Sequence, residues 1–267
     1  MDVYADLFRY RELFSNLFRR DLQAKYKGSM LGVVWSLLTP LLLMAIYFVV
    51  FSKILATRFS GIDNYALFML TGLACWTFIA SALPNASVSM LSNANLIRKV
   101  RFPRQLVPLS VVGTHVVAFA AMLLVVAVVN AVKLPGNRLW ELLALPFAAL
   151  LVLLIAGLAL AVAAANVLFR DVEHLVNSLL LPLFFLTPVI YPLDERAPGL
   201  GDHPDAIALL HWLNPLAPPI NAVRATLFDA QAPALGDAVY TVVAAVVSLA
   251  LGALVFRRLD DRIAVEL

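Results

Sequence analysis

The sequence predicts an all-α integral membrane protein, and three observations carry that expectation. Runs of about 20 apolar residues, each long enough to cross a hydrocarbon core of roughly 30 Å, recur along almost the whole chain. Of the 267 residues, 62% are hydrophobic and only 14% charged, and the mean hydropathy is +0.89, far from the balance of a water-soluble domain. The lysines and arginines cluster beside the apolar runs rather than inside them.

Six spans are expected: Met30–Phe51, Leu67–Leu91, Leu106–Val132, Leu139–Phe169, Leu175–Leu193 and Val239–Phe256. Backbone groups in lipid must find their hydrogen bonds within their own segment, so each span is expected to be a helix. What lies between them is too short for a soluble catalytic domain, and residues 1–267 are expected to form one transmembrane domain. No internal repeat and no low-complexity segment interrupts it.

Residues 1–29 precede the first span. Val3, Leu7, Tyr10, Phe14 and Leu17 recur there at helical spacing, with Arg9, Glu12, Asn16, Arg20, Gln23 and Lys27 on the other side. That pattern describes an amphipathic helix lying in the membrane surface. Residues 92–105 join the second and third spans, with Leu96, Ile97, Val100 and Phe102 interleaved among Arg98, Lys99, Arg101 and Arg104. Pro103 is expected to end any helix there. The last connection, residues 194–237, holds Pro198, Pro204, Pro215, Pro218 and Pro219. Its apolar stretches Ala206–Leu213 and Ile220–Phe228 are too short to span and are expected to be re-entrant helices dipping into the outer leaflet.

Orientation follows the cations. With the N-terminus inside, that side holds Arg9, Arg11, Arg19, Arg20, Lys25, Lys27, Arg98, Lys99, Arg101, Arg104, Arg170, Arg257, Arg258 and Arg262. Only Lys53, Arg58, Lys133, Arg138, Arg196 and Arg224 fall outside, so both termini are expected to be cytoplasmic. No small-residue cleavage site follows a short apolar core, and no cleaved signal peptide is expected. The net charge of +3 sits beside apolar spans, where anionic lipid headgroups explain it better than nucleic acid does. Cys75 has no partner in the chain for a disulfide, and no metal cluster is expected.

The chemistry is as informative for what it omits. Only His115 lies well inside a span, with Glu141, Glu173 and His174 near ends, whereas ion-coupled transporters bury ionisable groups to bind the driving ion. No Gly-Lys dipeptide occurs, so no phosphate-cradling GxxxxGK[ST] loop exists and any ATP must be hydrolysed by a partner. The segment Asn93–Arg104 either plugs into an acidic or cleft-bearing partner and transmits force, or only fixes topology. Arg19, Arg20, Lys25 and Lys27, where the amphipathic helix meets the first span, either grip an anionic headgroup or attract anionic lipid generically.

Five motifs in order meet a known family: Arg19–Trp35 (RRDLQAKYKGSMLGVVW), Leu38–Leu41 (LTPL), Asn95–Arg104 (NLIRKVRFPR), Phe169–Val172 (FRDV) and Leu186–Pro192 (LTPVIYP). Together they resemble the permease subunits of bacterial polysaccharide exporters of the ABC superfamily, type-two export permeases of the O-antigen and teichoic-acid branch. The resemblance covers nearly the whole chain. It implies a homodimer forming a continuous channel in the bacterial inner membrane, above two ATP-binding-cassette subunits that bind the ATP and magnesium. The cargo it implies is a polysaccharide on a polyprenyl diphosphate or another lipid, and this chain has no cofactor of its own.

Carried over residue by residue, the family's coupling helix falls on Asn95 to Arg104, giving Asn95, Arg98, Lys99, Arg101, Phe102 and Arg104 as ATPase-coupling residues. Its interface helix falls on roughly Asp6 to Lys25. Sugar polymers slide along aromatic faces and hydroxyl or amide groups. Tyr47 and Phe51 on the first helix, and Thr77, Ser81, Asn85 and Ser89 down the second, are the candidate channel lining. The same residues read equally as an interfacial aromatic belt and as polar glue between helices. Trp35 and Trp76 read as belt or packing residues, and Arg170–Asp171 as a topology and capping pair. Two rivals remain: an exporter of drugs or small lipids, and a membrane-embedded polyprenyl-lipid transferase using Asp171, Glu173 and His174.

Overall fold

The computed structural model describes residues 9–26, 34–50, 62, 64–100, 102–133, 139–193 and 203–266, and every regular element among them is a helix. In chain order these are α1 (Arg11–Tyr26), α2 (Val34–Phe48), α3 (Tyr65–Ser92), α4 (Ala94–Lys99), α5 (Leu106–Lys133) and α6 (Leu139–Leu168). They continue as α7 (Asp171–Leu186), α8 (Pro204–Leu213), α9 (Ala217–Leu227) and α10 (Leu235–Glu266). Among the described residues, α3, α5, α6 and α10 are long and apolar enough to cross a membrane.

These four helices make the body. α6 and α10 approach most closely where Gly157 faces Gly252: a Cβ on Gly252 would run into the Gly157 carbonyl. Ser248, one turn before Gly252, donates to the Leu154 carbonyl at 2.7 Å across the same seam. A small-residue seam is how membrane helices gain contact when lipid is as apolar as their side chains. α3 is the most enclosed of the four, with Met69, Cys75, Ile79, Ala82 and Met90 fully buried. One large apolar cluster fills the middle and the end near the start of α3, and a smaller one built on Met90, Val107, Leu160 and Phe256 fills the other end. The end holding α1 and α4 is called the basic end below.

The expected fifth span is a broken one. Instead of running to Leu193, α7 stops at Leu186, and Thr187 adopts φ −98°, ψ 139°. Pro188 is the reason, because its ring disfavours helical geometry in the residue before it. The irregular chain that follows is buried, and side chains answer its carbonyls: Tyr65 Oη donates to Ile190 O at 2.7 Å and Asn214 Nδ2 to Leu186 O at 3.2 Å. Non-helical backbone is tolerated at such depth where protein encloses it. The first expected span appears in part as α2, with Met30–Val33 and Phe51 lying outside the described residues.

The last helix is longer than Val239–Phe256. It begins at Leu235, with Asp237 in its first turn where a carboxylate meets the free N–H groups, and runs on past the apolar stretch to Glu266. The two short helices of the long connection form close to their expected places. α8 has no buried residue, whereas α9 is buried along most of its length.

Candidate functional site

The basic end is organised by Asn93, which terminates α3 and starts α4. Its Nδ2 donates to Ser89 O at 2.9 Å, while its carbonyl accepts from Leu96 N and Ile97 N at 3.0 and 3.1 Å. Its Oδ1 accepts from Arg20 Nη2 of α1 at 2.7 Å. The Arg20 guanidinium also grips Asp21 Oδ1 through Nε and Nη2, and Asp21 Oδ2 accepts from Ser110 Oγ of α5 at 3.1 Å. A continuous polar chain therefore links α1, the α3–α4 joint and α5. Beside it, α1 lays Leu17 into the bundle and sets Phe14 and Phe18 against Gly113 of α5, where any side chain would crowd Phe18.

The coupling segment is two-sided. Ile97 is buried and Phe102 packs against the same small cluster beside Phe256, whereas Asn95, Arg98 and Lys99 are exposed. The helix is shorter than the expected Asn95–Arg104: it covers Ala94–Lys99 and ends with Val100 extended at φ −127°, ψ 133°. Packing Phe102 against the small cluster and tethering Arg104 pull the chain out of helical register before Pro103 is reached. Arg104 Nη1 donates to both the carbonyl and Oδ1 of Asp260 on α10, at 3.0 and 2.9 Å. The loop thus has an outward cationic face and an inward face fixed at both ends.

Of the four headgroup candidates, Arg19 and Arg20 are exposed, and Arg20 is already engaged as described. Lys27, Phe51 and Arg101 lie outside the described residues, as do the side chains of Lys25 and Tyr47. On α3 the polar stripe divides. Asn85 is exposed with its Nδ2 on Ser81 O, Thr77 and Ser81 are half-buried, and Ser89 is buried with its hydroxyl donating to Ala86 O. Trp76 stacks obliquely on Phe184 at 5.4 Å as a packing residue. His115 is buried within α5. Among the described residues no three His, Cys, Asp or Glu are grouped to hold a metal ion, Asp171, Glu173 and His174 included.

The opposite end holds a side chain that sequence reasoning counted only as an outside cation. Arg224 of α9 is 4% exposed, lies 3.9 Å over the Phe68 ring of α3, and donates through Nη2 to Val189 O at 2.9 Å. Gly72 makes this possible, since a Cβ there would strike both the Val189 carbonyl and the guanidinium. The signal was present: a cation inside a short apolar stretch is costly and calls for a named partner. Nearby, His211 Nε2 and Asp237 Oδ1 meet at 2.6 Å, pinning α8 to α10. The contacts of Asn93, Asp21, Ser110 and Asp260 carry no such signal, because they join residues far apart in sequence.

The same residues can be set beside known proteins. Residues 12–228 match the family described as ABC-2 type transporter. The chain is 32% identical over 232 residues to the O-antigen export system permease protein RfbA of Myxococcus xanthus, covering 86% of each chain. It is 31% identical over 210 residues to a protein of the same description from Klebsiella pneumoniae, covering 77% of this chain and 76% of that one.

Proposed function

The chain belongs to the ABC-2 type transporter family, and from that membership we propose that it is the membrane-spanning permease of an ATP-driven exporter of O-antigen-type polysaccharide. It is a transport subunit and not itself catalytic; hydrolysis belongs to separate ATP-binding subunits. The observation that carries the reading is the extent of the likeness: a relative described as an O-antigen export permease matches over 86% of both chains, so the similarity is to a whole permease.

In this reading two copies and two ATP-binding subunits assemble in a bacterial inner membrane, with both termini and the basic end in the cytoplasm. α2 and the α7 segment complete six spans, and α8 and α9 re-enter the far leaflet. The ATP-binding subunit docks on Asn95, Arg98, Lys99 and Arg101, and Ile97 and Phe102 carry its motion into the bundle. Arg20–Asn93 and Arg104–Asp260 spread that motion to α1 and α10. Arg19, Arg20, Lys25 and Lys27 draw the polyprenyl diphosphate to the channel mouth, each cation worth roughly 1 kcal/mol at headgroup level.

Exposed polar groups support a channel between copies. Asn85 on α3 and Asn177 and Ser178 on α7 are exposed on membrane helices, where contact with lipid would be unfavourable. With Tyr47, Phe51, Thr77 and Ser81 they supply the amide, hydroxyl and aromatic surface a sliding glycan needs. Ser89, being buried, serves the α3–α4 joint instead, its carbonyl receiving Asn93. The decisive experiment reconstitutes the permease with its ATP-binding subunit and measures hydrolysis with lipid-linked glycan, bare polyprenyl phosphate or amphiphilic drugs. Stimulation by the glycan-bearing lipid is expected; stimulation by drugs alone would discard the reading.

A further inference from the structure

A groove of about 910 Å³ runs between α5 and α6, and no residue of the coupling segment lines it. α5 lines it from Val116 to Ala127 and α6 from Glu141 to Val152. Each wall is twelve residues of helix, about 17 Å at 1.5 Å per residue, which is close to half a hydrocarbon core of about 30 Å. The groove is therefore about one leaflet deep. It opens sideways, because Leu124, Leu142 and Leu145 on its rim are exposed.

The lining is carbon except at one end. Glu141, in the first turn of α6, is the single charged residue of the lining among the described residues. Its position is built: Asn130 of α5, 1% exposed, donates through Nδ2 to Glu141 Oε1 at 3.1 Å and to Leu227 O at 2.6 Å. The carboxylate is thus held at the mouth of an apolar slot, at the level where lipid headgroups begin. A carboxylate facing lipid is costly unless a cation meets it. Among common headgroups, a primary ammonium supplies both the charge and hydrogen-bond donors, whereas a headgroup with phosphate as its only charge would be repelled.

We propose that this groove binds one phospholipid with a primary-ammonium headgroup, its acyl chain between α5 and α6 and its ammonium on Glu141. Its occupancy does not depend on which molecule is exported.

The test uses the full chain reconstituted into vesicles of equal phosphatidylethanolamine and phosphatidylglycerol, then released into mild detergent for native mass spectrometry. One phosphatidylethanolamine per chain is expected, in preference to phosphatidylglycerol. Glu141→Gln is expected to weaken its retention about tenfold, the loss of one charge-assisted hydrogen bond, with Glu141→Asp retaining part of it. Ala149→Trp, at an exposed lining position, is expected to remove the retained lipid by filling the slot. Cys75, fully buried, remains unreactive to a thiol dye in folded variants and separates lost lipid from lost fold. Equal retention of the two lipids would show that the ammonium is not recognised and overturn the proposal. So would undiminished binding to Glu141→Gln, or an Ala149→Trp chain that keeps its lipid but loses its oligomeric state, which would make a second copy the occupant.

Discussion

At the scale of single residues, two arginines sit at opposite ends of the bundle and do different work. Arg20 is half-exposed, so its ion pair with Asp21 contributes little to stability, on the order of 0–1 kcal/mol. Its value is as a strut to Asn93. Asn93→Ala is therefore expected to lower export severalfold at unchanged permease abundance, and Arg20→Lys to do the same, because lysine cannot span Asp21 and Asn93 with one planar fork. If Arg20 acted only on the carrier headgroup, surface polysaccharide in the Asn93→Ala strain would match that of the parent. Arg224, by contrast, is structural. Its removal leaves Val189 O without its donor and empties the space over Phe68, and Arg224→Ala is expected to cost about 3 kcal/mol or more. The thermal midpoint reported by dye labelling of Cys75 checks this: it should fall clearly for Arg224→Ala and about half as far for Arg224→Lys.

Elements show what was legible in the sequence and what was not. The short helices of the long connection were expected at Ala206–Leu213 and Ile220–Phe228 and form at Pro204–Leu213 and Ala217–Leu227. Prolines in the first turn of each mark those starts, since a missing N–H costs nothing there. The broken fifth span was readable in principle from Thr187-Pro188, but a continuous apolar run outweighed one dipeptide. The short coupling helix was not readable, because what ends it is the packing of Phe102 against the small cluster and the tether of Arg104 to Asp260, 156 residues away. That tether yields a prediction for the segment as a whole. Arg104→Asp or Asp260→Arg alone is expected to uncouple hydrolysis from export with little change in thermal stability, the pair being partly exposed. The double charge swap is expected to recover part of the coupling, and failure to recover any would remove the strut from the mechanism.

For the molecule as a whole, the informative surface is α7. Only Val176 and Phe184 of this helix are buried, while Leu175, Leu179, Leu181 and Phe185 lie open beside the exposed Asn177 and Ser178. Lipid would accept the leucines but not the amide and hydroxyl, so the mixed face suits a second copy or a watery channel. Asn177→Leu with Ser178→Leu is expected to reduce export and the fraction of dimer trapped by crosslinking. A face turned to lipid would give the reverse, unchanged dimer and equal or higher thermal stability.

Arg224 also has a consequence for how the chain is made. The Phe68 ring and the gap at Gly72 that receive it are synthesised about 150 residues earlier. At about 5–20 residues per second, that place waits roughly 8–30 s for its occupant. Until then the end of the bundle far from the coupling segment stays open, and the basic end waits longer still, because Phe256 and Asp260 are made later. A nascent permease halted short of Leu227 would present an open, apolar end to the membrane, and quality-control proteases could recognise it there as unfinished.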